Sequence, residues 1–265
     1  PCSSHLSAPD LPIARVIVSR TGRLLPRVEL DGRCHAMRLE TFLPGMTFDD
    51  DQPISLTGFD AIGSLVGRVS VALSTYHHPA STNFMPWDIA NGLVLDSDLR
   101  PGLGADARPL VERAQRRLES AAAAMAVLPR QVIHNDGHGG NLLRANDESD
   151  VVTGMIDFGD LVHTVTVADL AVSGSNLVPH QRDPIASLAA LTAGYHVHRA
   201  LSDAEIDALP DLVLSRLVLS TLLVDYQIAH APHIASAVAS ERPGLLADLE
   251  RWLAIEPAHV AEHVR

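Results

Sequence analysis

The residue types best suited to chemistry gather in one stretch. His134-Asn135-Asp136-Gly137-His138-Gly139-Gly140-Asn141 is followed, sixteen residues after Asn141, by Asp157-Phe158-Gly159-Asp160. Gly137, Gly139 and Gly140 let the backbone turn sharply. Asp157 closes a β-like run, Gly154-Met155-Ile156, where a side chain can project beyond a strand end. The carboxylates of Asp136 and Asp157 and the amide oxygen of Asn141 make a hard oxygen set. Such a set suits Mg²⁺, which prefers oxygen ligands and keeps room for waters and substrate phosphates. With the metal on Asn141 and Asp157, Asp136 is left to accept a proton from an attacking hydroxyl.

Plainer readings stand beside this one. Asn-Asp-Gly alone is common turn chemistry, and it is the second cluster at Asp157-Phe158-Gly159-Asp160 that lifts the first above a turn. Fourteen histidines raise the question of zinc. His134 and His138 are four apart, but Gly137 between them opposes a helix and no glutamate intervenes, so the two-histidine helical zinc pattern fails. Gly137-x-Gly139-Gly140 opens no long helix and is not a dinucleotide fingerprint. Asp49-Asp50-Asp51 reads as a solvated acidic loop, with attraction of a cationic substrate as the alternative. Trp87 reads as a packing anchor, and Asp88 and His78 as neighbours of an acceptor pocket.

The elements that must position these residues fall into two parts. Ile13–Ser19 and Leu24–Leu30 are β-rich runs around Thr21-Gly22-Arg23 and predict a hairpin. A third run, Ala36–Leu43, ends at Pro44-Gly45. Helical spacing then dominates. Helices are expected over Leu56–His77 with Thr57 as N-cap, and over Ala105–Leu128. Strands are expected at Gln131–Ile133 and Val151–Ile156. Further helices are expected near Val167–Val178, Ile185–Leu201, Asp203–His230 and Ala235–Ile255, with breaks at Pro179, Pro184, Pro232 and Pro243. This is an α+β arrangement rather than alternating βαβ. It divides into a β-rich part with a hinge over residues 1–45 and a mainly helical part over 46–265, which carries the polar loop at 131–160.

Composition narrows the classes further. The 265 residues carry a net charge of −12, which argues against a phosphate-tracking nucleic-acid binder. Hydrophobic residues at 46% are enough for a large core and argue against disorder. Cys2 and Cys34 show no metal-ligand spacing and predict no disulfide framework, which points to the cytoplasm. No apolar run is expected to span a membrane, since Ser215, Arg216 and Ser220 interrupt Leu212–Val224. Pro1-Cys2-Ser3-Ser4-His5 does not read as a signal peptide.

His134-x-Asp136-x-x-x-x-Asn141 followed by Ile156-Asp157-Phe158-Gly159-Asp160 resembles the aminoglycoside phosphotransferase and choline kinase family, relatives of protein kinases. Within it, Leu39–Gly45, Trp87-Asp88, Ala168-Asp169-Leu170-Ala171 and Arg216–Ser220 resemble the hydroxylysine-kinase-like branch. The resemblance implies a protein-kinase-like fold and transfer of phosphoryl from ATP or GTP to a hydroxyl on a small, amine-bearing, cationic metabolite. By that resemblance Asp136 is the base and Asn141 and Asp157 hold Mg²⁺. His134 braces the loop, and Asp160 is a second acidic group near metal or substrate. Asp169 hydrogen-bonds the loop backbone, and the hinge Glu40, Thr41, Phe42 and Leu43 reads the adenine edge.

One feature departs from the family. A kinase-like N-lobe carries a lysine on the α- and β-phosphates, yet all twenty basic residues here are arginine. About forty residues precede the hinge, which fits a shortened N-lobe. Three expectations follow: a fragment of a longer kinase, a shortened relative that binds without much turnover, or an enzyme whose clamp is an arginine such as Arg15 or Arg38. A guanidinium fork does not replace an ammonium without rearrangement. A shortened lobe also leaves apolar strand faces open, which predicts a homodimer. A metal-dependent hydrolase using the same carboxylates is a further alternative.

Overall fold

The computed structural model describes residues 10–48, 53–91, 98–146 and 150–265. The acidic run Asp49–Asp51, Cys2 and the N-terminal pentapeptide lie outside the described residues.

Short strands open the chain. β1 (Arg27–Leu30) and β2 (Arg33–Ala36) form an antiparallel hairpin in the register Arg27 with Ala36 and Leu30 with Arg33. Its turn is Asp31-Gly32, with φ of 50° and 71°. Both values are positive, as a two-residue turn between right-twisted strands requires, and Asp-Gly is a pair that tolerates them. This corrects the expected hairpin about Thr21-Gly22-Arg23. That turn exists, with the Ser19 amide donating to the Arg23 carbonyl at 3.0 Å, but its flanks pair elsewhere. The Ile17 amide donates to Leu39 at 2.8 Å and the Thr41 amide to Arg15 at 2.9 Å, so the first run lies along the third.

Two small sheets frame the polar loop. β3 (Met46–Thr47), β5 (Leu142–Arg144) and β6 (Val152–Met155) form one antiparallel sheet in the order β3-β5-β6. β4 (Arg130–Ile133) and β7 (Val162–Val165) form the other. Residues 134–141 connect β4 to β5 and residues 156–161 connect β6 to β7. Both chemical segments therefore leave from paired strands, and both ends of each are fixed. Ile13 bridges to Met155 and joins the edge of this framework.

Helices supply the core. α1 spans Leu56–Leu73 and α2 spans Arg108–Ala126. α3 (Ala168–Leu177), α4 (Pro184–His198), α5 (Asp203–His230), α6 (Ala235–Leu253) and α7 (Pro257–Val264) complete the chain. The N-cap of α1 is Ser55, whose hydroxyl accepts from the Gly58 amide at 3.0 Å, and not Thr57, which lies inside the first turn. α5 starts with a capping box between Ser202 and Glu205. α1 and α4 touch through glycine: a Cβ on Gly63 would sit 1.9 Å from the Leu191 carbonyl oxygen, and one on Gly194 equally close to that of Asp60. Phe59, Ile62, Leu170, Leu188 and Tyr195 are fully buried around this contact.

One further expectation is corrected. Pro243 does not break its helix. α6 runs through it, although proline removes one helical hydrogen bond. Arg242, beside it, is held by Asp106 at 2.7 Å and by Asp225, and this tertiary anchor offsets the loss. Among the described residues, helices Leu56–Leu73 and Asp203–His230 are long and apolar enough, by length and composition, to cross a membrane, a test that buried core helices also meet. Both are mostly buried here, with most of their apolar residues in the core.

Candidate active site

The loop after β4 is tied down from three sides. His134 is fully buried. Its Nε2 donates to the Ile156 carbonyl at 3.1 Å, and its Nδ1 accepts from the Asp136 amide at 3.2 Å. These two bonds fix the neutral Nε2–H tautomer. Burial lowers its pKa to about 4, so it carries no charge near neutrality. Phe158 packs edge-on against the imidazole, with centroids 4.6 Å apart. His134 thus joins the Asp136 segment to the Asp157 segment through a single ring.

Asp169 holds the loop from below. It lies in the first turn of α3 and is buried. Its carboxylate accepts from the His134 amide at 3.2 Å and the Asn135 amide at 2.9 Å. Desolvation raises its pKa to about 6, opposed by those two bonds. Ser173 and Asn176 continue the anchorage along the same helix. The Ser173 hydroxyl donates to the Gly137 carbonyl at 2.7 Å, and Asn176 Oδ1 accepts from the Gly139 amide at 2.8 Å. The sequence offered no direct signal for either, beyond a polar stripe on an apolar helix. Asn135 has φ of 67°, a region that asparagine enters more readily than most residues. Its buried amide has no hydrogen-bond partner among the described residues.

Asp136 and Asn141 meet directly. Asn141 Nδ2 donates to Asp136 Oδ2 at 2.7 Å and to the Asp136 carbonyl at 2.9 Å. The amide's donors are thereby spent on Asp136, which leaves its oxygen for another partner. The Ile156 amide donates to the Asn141 carbonyl at 2.9 Å, and Leu142 pairs with Met155. Strand pairing thus sets Asn141 next to the segment that carries Asp157. Asp157 is exposed and has φ of 59°, a left-handed backbone that aspartate and asparagine enter more readily than most residues. One of its oxygens accepts from the Gly159 amide at 3.2 Å. Asp157 and Asn141 present hard oxygens, which fit a divalent cation of the Mg²⁺ type. Among the described residues no cluster of three or more His, Cys, Asp or Glu could hold a metal. A protein share of two ligands suits an ion whose other positions go to water and phosphate.

Charge around Asp136 is balanced by groups from other elements. Partial burial raises its pKa, and the raising is opposed first by His138, then by Arg216 and the Asn141 hydrogen bond; Asp160 adds to the raising. His138 Nε2 lies 3.7 Å from Asp136 Oδ2. Its Nδ1 accepts from the Gly140 amide at 3.1 Å, so Nε2 carries the proton that faces Asp136. Arg216, from α5, brings Nη2 to 3.8 Å from Asp136 Oδ1. Sequence reasoning noted Arg216 only as a break in an apolar run and a mark of resemblance. A charged residue inside Leu212–Val224 was the signal that it had a buried partner.

The other expected residues are less concentrated. Asp88 is buried, accepting from the Thr164 hydroxyl at 2.7 Å and the Ala90 amide at 3.0 Å. His78 caps the following turn by accepting from the Ala80 amide. In the hinge segment Glu40 bridges Val16 and pairs with Arg38 at 3.2 Å. The Thr41 hydroxyl accepts from the Arg15 amide at 2.9 Å. Phe42 is 89% exposed, and Leu43 is partly buried. Arg15 donates to the Leu11 carbonyl at 3.0 Å, so both arginines considered as phosphate clamps have other partners.

Comparison with known proteins gives the family and the fold. The profile of the phosphotransferase enzyme family matches residues 3–205. The chain belongs to that family. Hydroxylysine kinase of Mus musculus is 24% identical over 237 residues, covering 83% of this chain and 62% of its own length. Homoserine kinase of Gluconobacter oxydans is 32% identical over 187 residues, covering 66% of this chain and 54% of its own. The chain thus spans less than two thirds of the length of these relatives. In fold it matches a microcompartment-associated aminopropanol kinase, with a TM-score of 0.69 at 22% identity over 92% of this chain and 77% of that one. Amicoumacin kinase, solved with AMP-PNP, Ca²⁺ and amicoumacin, gives 0.66 at 17% over 94% and 75%. The architecture of this chain is therefore protein-kinase-like, of the α+β class.

Proposed function

We propose that this phosphotransferase moves the γ-phosphoryl group of ATP or GTP to a hydroxyl on a small, amine-bearing metabolite. The observation that carries the proposal is the Asp136–Asn141 pair, bonded at 2.7 Å and set beside Asp157 by strand pairing. Asp136 accepts the proton of the acceptor hydroxyl as its oxygen bonds to the γ-phosphorus and the bond to the nucleoside diphosphate breaks. Asn141 and Asp157 would hold Mg²⁺, which supplies charge neutralisation on the phosphates when bound. His134 and Asp169 keep the loop in register, and Asp160 adds negative charge beside Asp136. The backbone of Glu40, Thr41, Phe42 and Leu43 reads the base. The excess of carboxylate here, and the chain's net charge of −12, favour a cationic acceptor. The names of the relatives and fold neighbours, kinases of hydroxylysine, homoserine and aminopropanol, support the same acceptor class.

The same reading takes residues 1–45 as the β-rich part with its hinge and 46–265 as the helical part. It includes a cytoplasmic location, for which the two-cysteine composition speaks. It also includes a homodimer that covers exposed Ile17, Val18, Leu39 and Phe42.

One observation favours a second reading. The 265 residues contain no lysine, and Arg15 and Arg38 are engaged with Leu11 and Glu40. A kinase-like binding module with little turnover fits that fact. Thermal shift with Mg²⁺ and millimolar nucleotide, followed by product analysis, separates the readings. Phosphorylated acceptor supports the transferase. A shift without product supports the binding module. Free phosphate alone points to a hydrolase, and an unmoved melting temperature counts against all nucleotide readings.

A further inference from the structure

Arg216 is an unusual residue to find inside α5. It interrupts the apolar run Leu212–Val224, and its side chain is only 9% exposed. Burying a guanidinium is costly unless its charge and its donors are met. Here its charge and one of its donors are met by two segments far away in sequence. Nη1 donates to the Trp87 carbonyl, and the guanidinium carbon stands 5.3 Å from the centre of the Trp87 ring. Nη2 points to Asp136 Oδ1 at 3.8 Å. Asp160 and Asp88 also act on it electrostatically. Asp88 ties the same turn to β7 through Thr164.

We infer that Arg216 is a positioning residue: its forked guanidinium locks the Trp87-Asp88 turn to the catalytic-loop carboxylate, so that the base and the wall beside it keep one fixed relation. The inference rests on the reading of Asp136 as the base. The geometry explains why an arginine stands here. A guanidinium presents several donors in one rigid plane and stacks on an aromatic face while doing so. Nη1, the ring contact and Nη2 use three of its features at once. A lysine ammonium, a point charge on a flexible stem, meets one of these partners and leaves the others. Asp136 already gives Oδ2 to Asn141 at 2.7 Å, so its remaining oxygen, Oδ1, is the one that faces Arg216. The carboxylate is thereby hydrogen-bonded at Oδ2 by Asn141 and faced at Oδ1 by the Arg216 cation from another element, which biases its rotation.

The test is hydrogen exchange on the full chain, read by segment, for the wild type, Arg216→Met and Arg216→Lys, with kinetics alongside. In Arg216→Met, amides of 134–141 and of 85–91 should exchange faster by about tenfold or more, while the interior of α3 and α4 stays protected. Where turnover is measurable, kcat should fall on the order of a hundredfold while KM for nucleotide stays within about twofold. Arg216→Lys should restore less than half of either loss, because the fork is gone. If Arg216→Met does not fold, the lysine variant alone decides through loosening at those two segments. Unchanged exchange at both segments overturns the inference. A uniform rise in exchange across the helices also overturns it, because that is the mark of a purely structural residue. Local loosening with no turnover in any form keeps the inference about position and removes the kinase reading instead.

Discussion

The loop 134–141 is held by side chains that reach it from distant elements, whereas in the segment 37–46 most apolar side chains stand in solvent. His134, Asn135 and Asn141 are buried, and Asp169, Ser173, Asn176 and Arg216 reach the loop from two helices. Met37, Leu39, Phe42 and Met46 are exposed, and Arg38 pairs with its near neighbour Glu40. One region is fixed by side chains from distant elements, and the other by backbone pairing between short strands. The difference teaches where chemistry can be exact. Groups that must act within fractions of an ångström lie where several unrelated elements constrain them together.

The comparison can be broken or sharpened by substitution. The largest stability effect should come from the helix contact beneath the loop. Gly63→Ala places a Cβ on the Leu191 carbonyl and should cost about 3 kcal/mol or more, read by urea unfolding. His134→Gln should cost nearly as much, and only above a certain pH. The folded pKa, about 4, lies below the unfolded value of 6.5. The contribution of the neutral imidazole is therefore complete above pH 6.5 and is lost as pH falls towards 4. The gap between wild type and variant should be about 3 kcal/mol at pH 7 and close by pH 4, measured by unfolding across that range. Asp169→Ala removes the acceptor of two buried amides and should cost about 2 kcal/mol at pH 7. A loss near zero would show that water replaces the carboxylate. Phe42→Ser should change stability by less than about 0.5 kcal/mol in dilute protein. A concentration-dependent loss of several degrees in Tm would show that this side is covered by a second copy.

The same contrast governs what could be read from the sequence. The meeting of Asp136 with Asn141, next to the Asp157 segment, was legible because it depends on residue type at fixed spacing along a loop. Helices α3 and α5 were legible to within a few residues as apolar stretches closed by Pro179 and Pro232. β5 and β7 were not, because strands of three and four residues that are largely buried carry no clear alternation. The hairpin was misplaced because two turn signals, Thr21-Gly22-Arg23 and Asp31-Gly32, competed, and only the second fits a two-residue turn. α7 was missed, being eight residues behind Pro257. Arg216 could not be assigned, since Trp87 lies 129 residues away. A side chain's partners across such distances are a property of packing and not of local pattern.

The central claim is that Asp136 serves phosphoryl transfer from a site it shares with Asn141 and Asp157. The most direct measurement is incorporation of label from γ-labelled ATP or GTP into a panel of hydroxylated amines, for the wild type and Asp136→Asn, with Mg²⁺ present. Labelled acceptor should form with the wild type and fall on the order of a thousandfold in the variant, with nucleotide affinity nearly unchanged. Equal labelling by the variant, or free phosphate as the sole labelled product, would contradict the account.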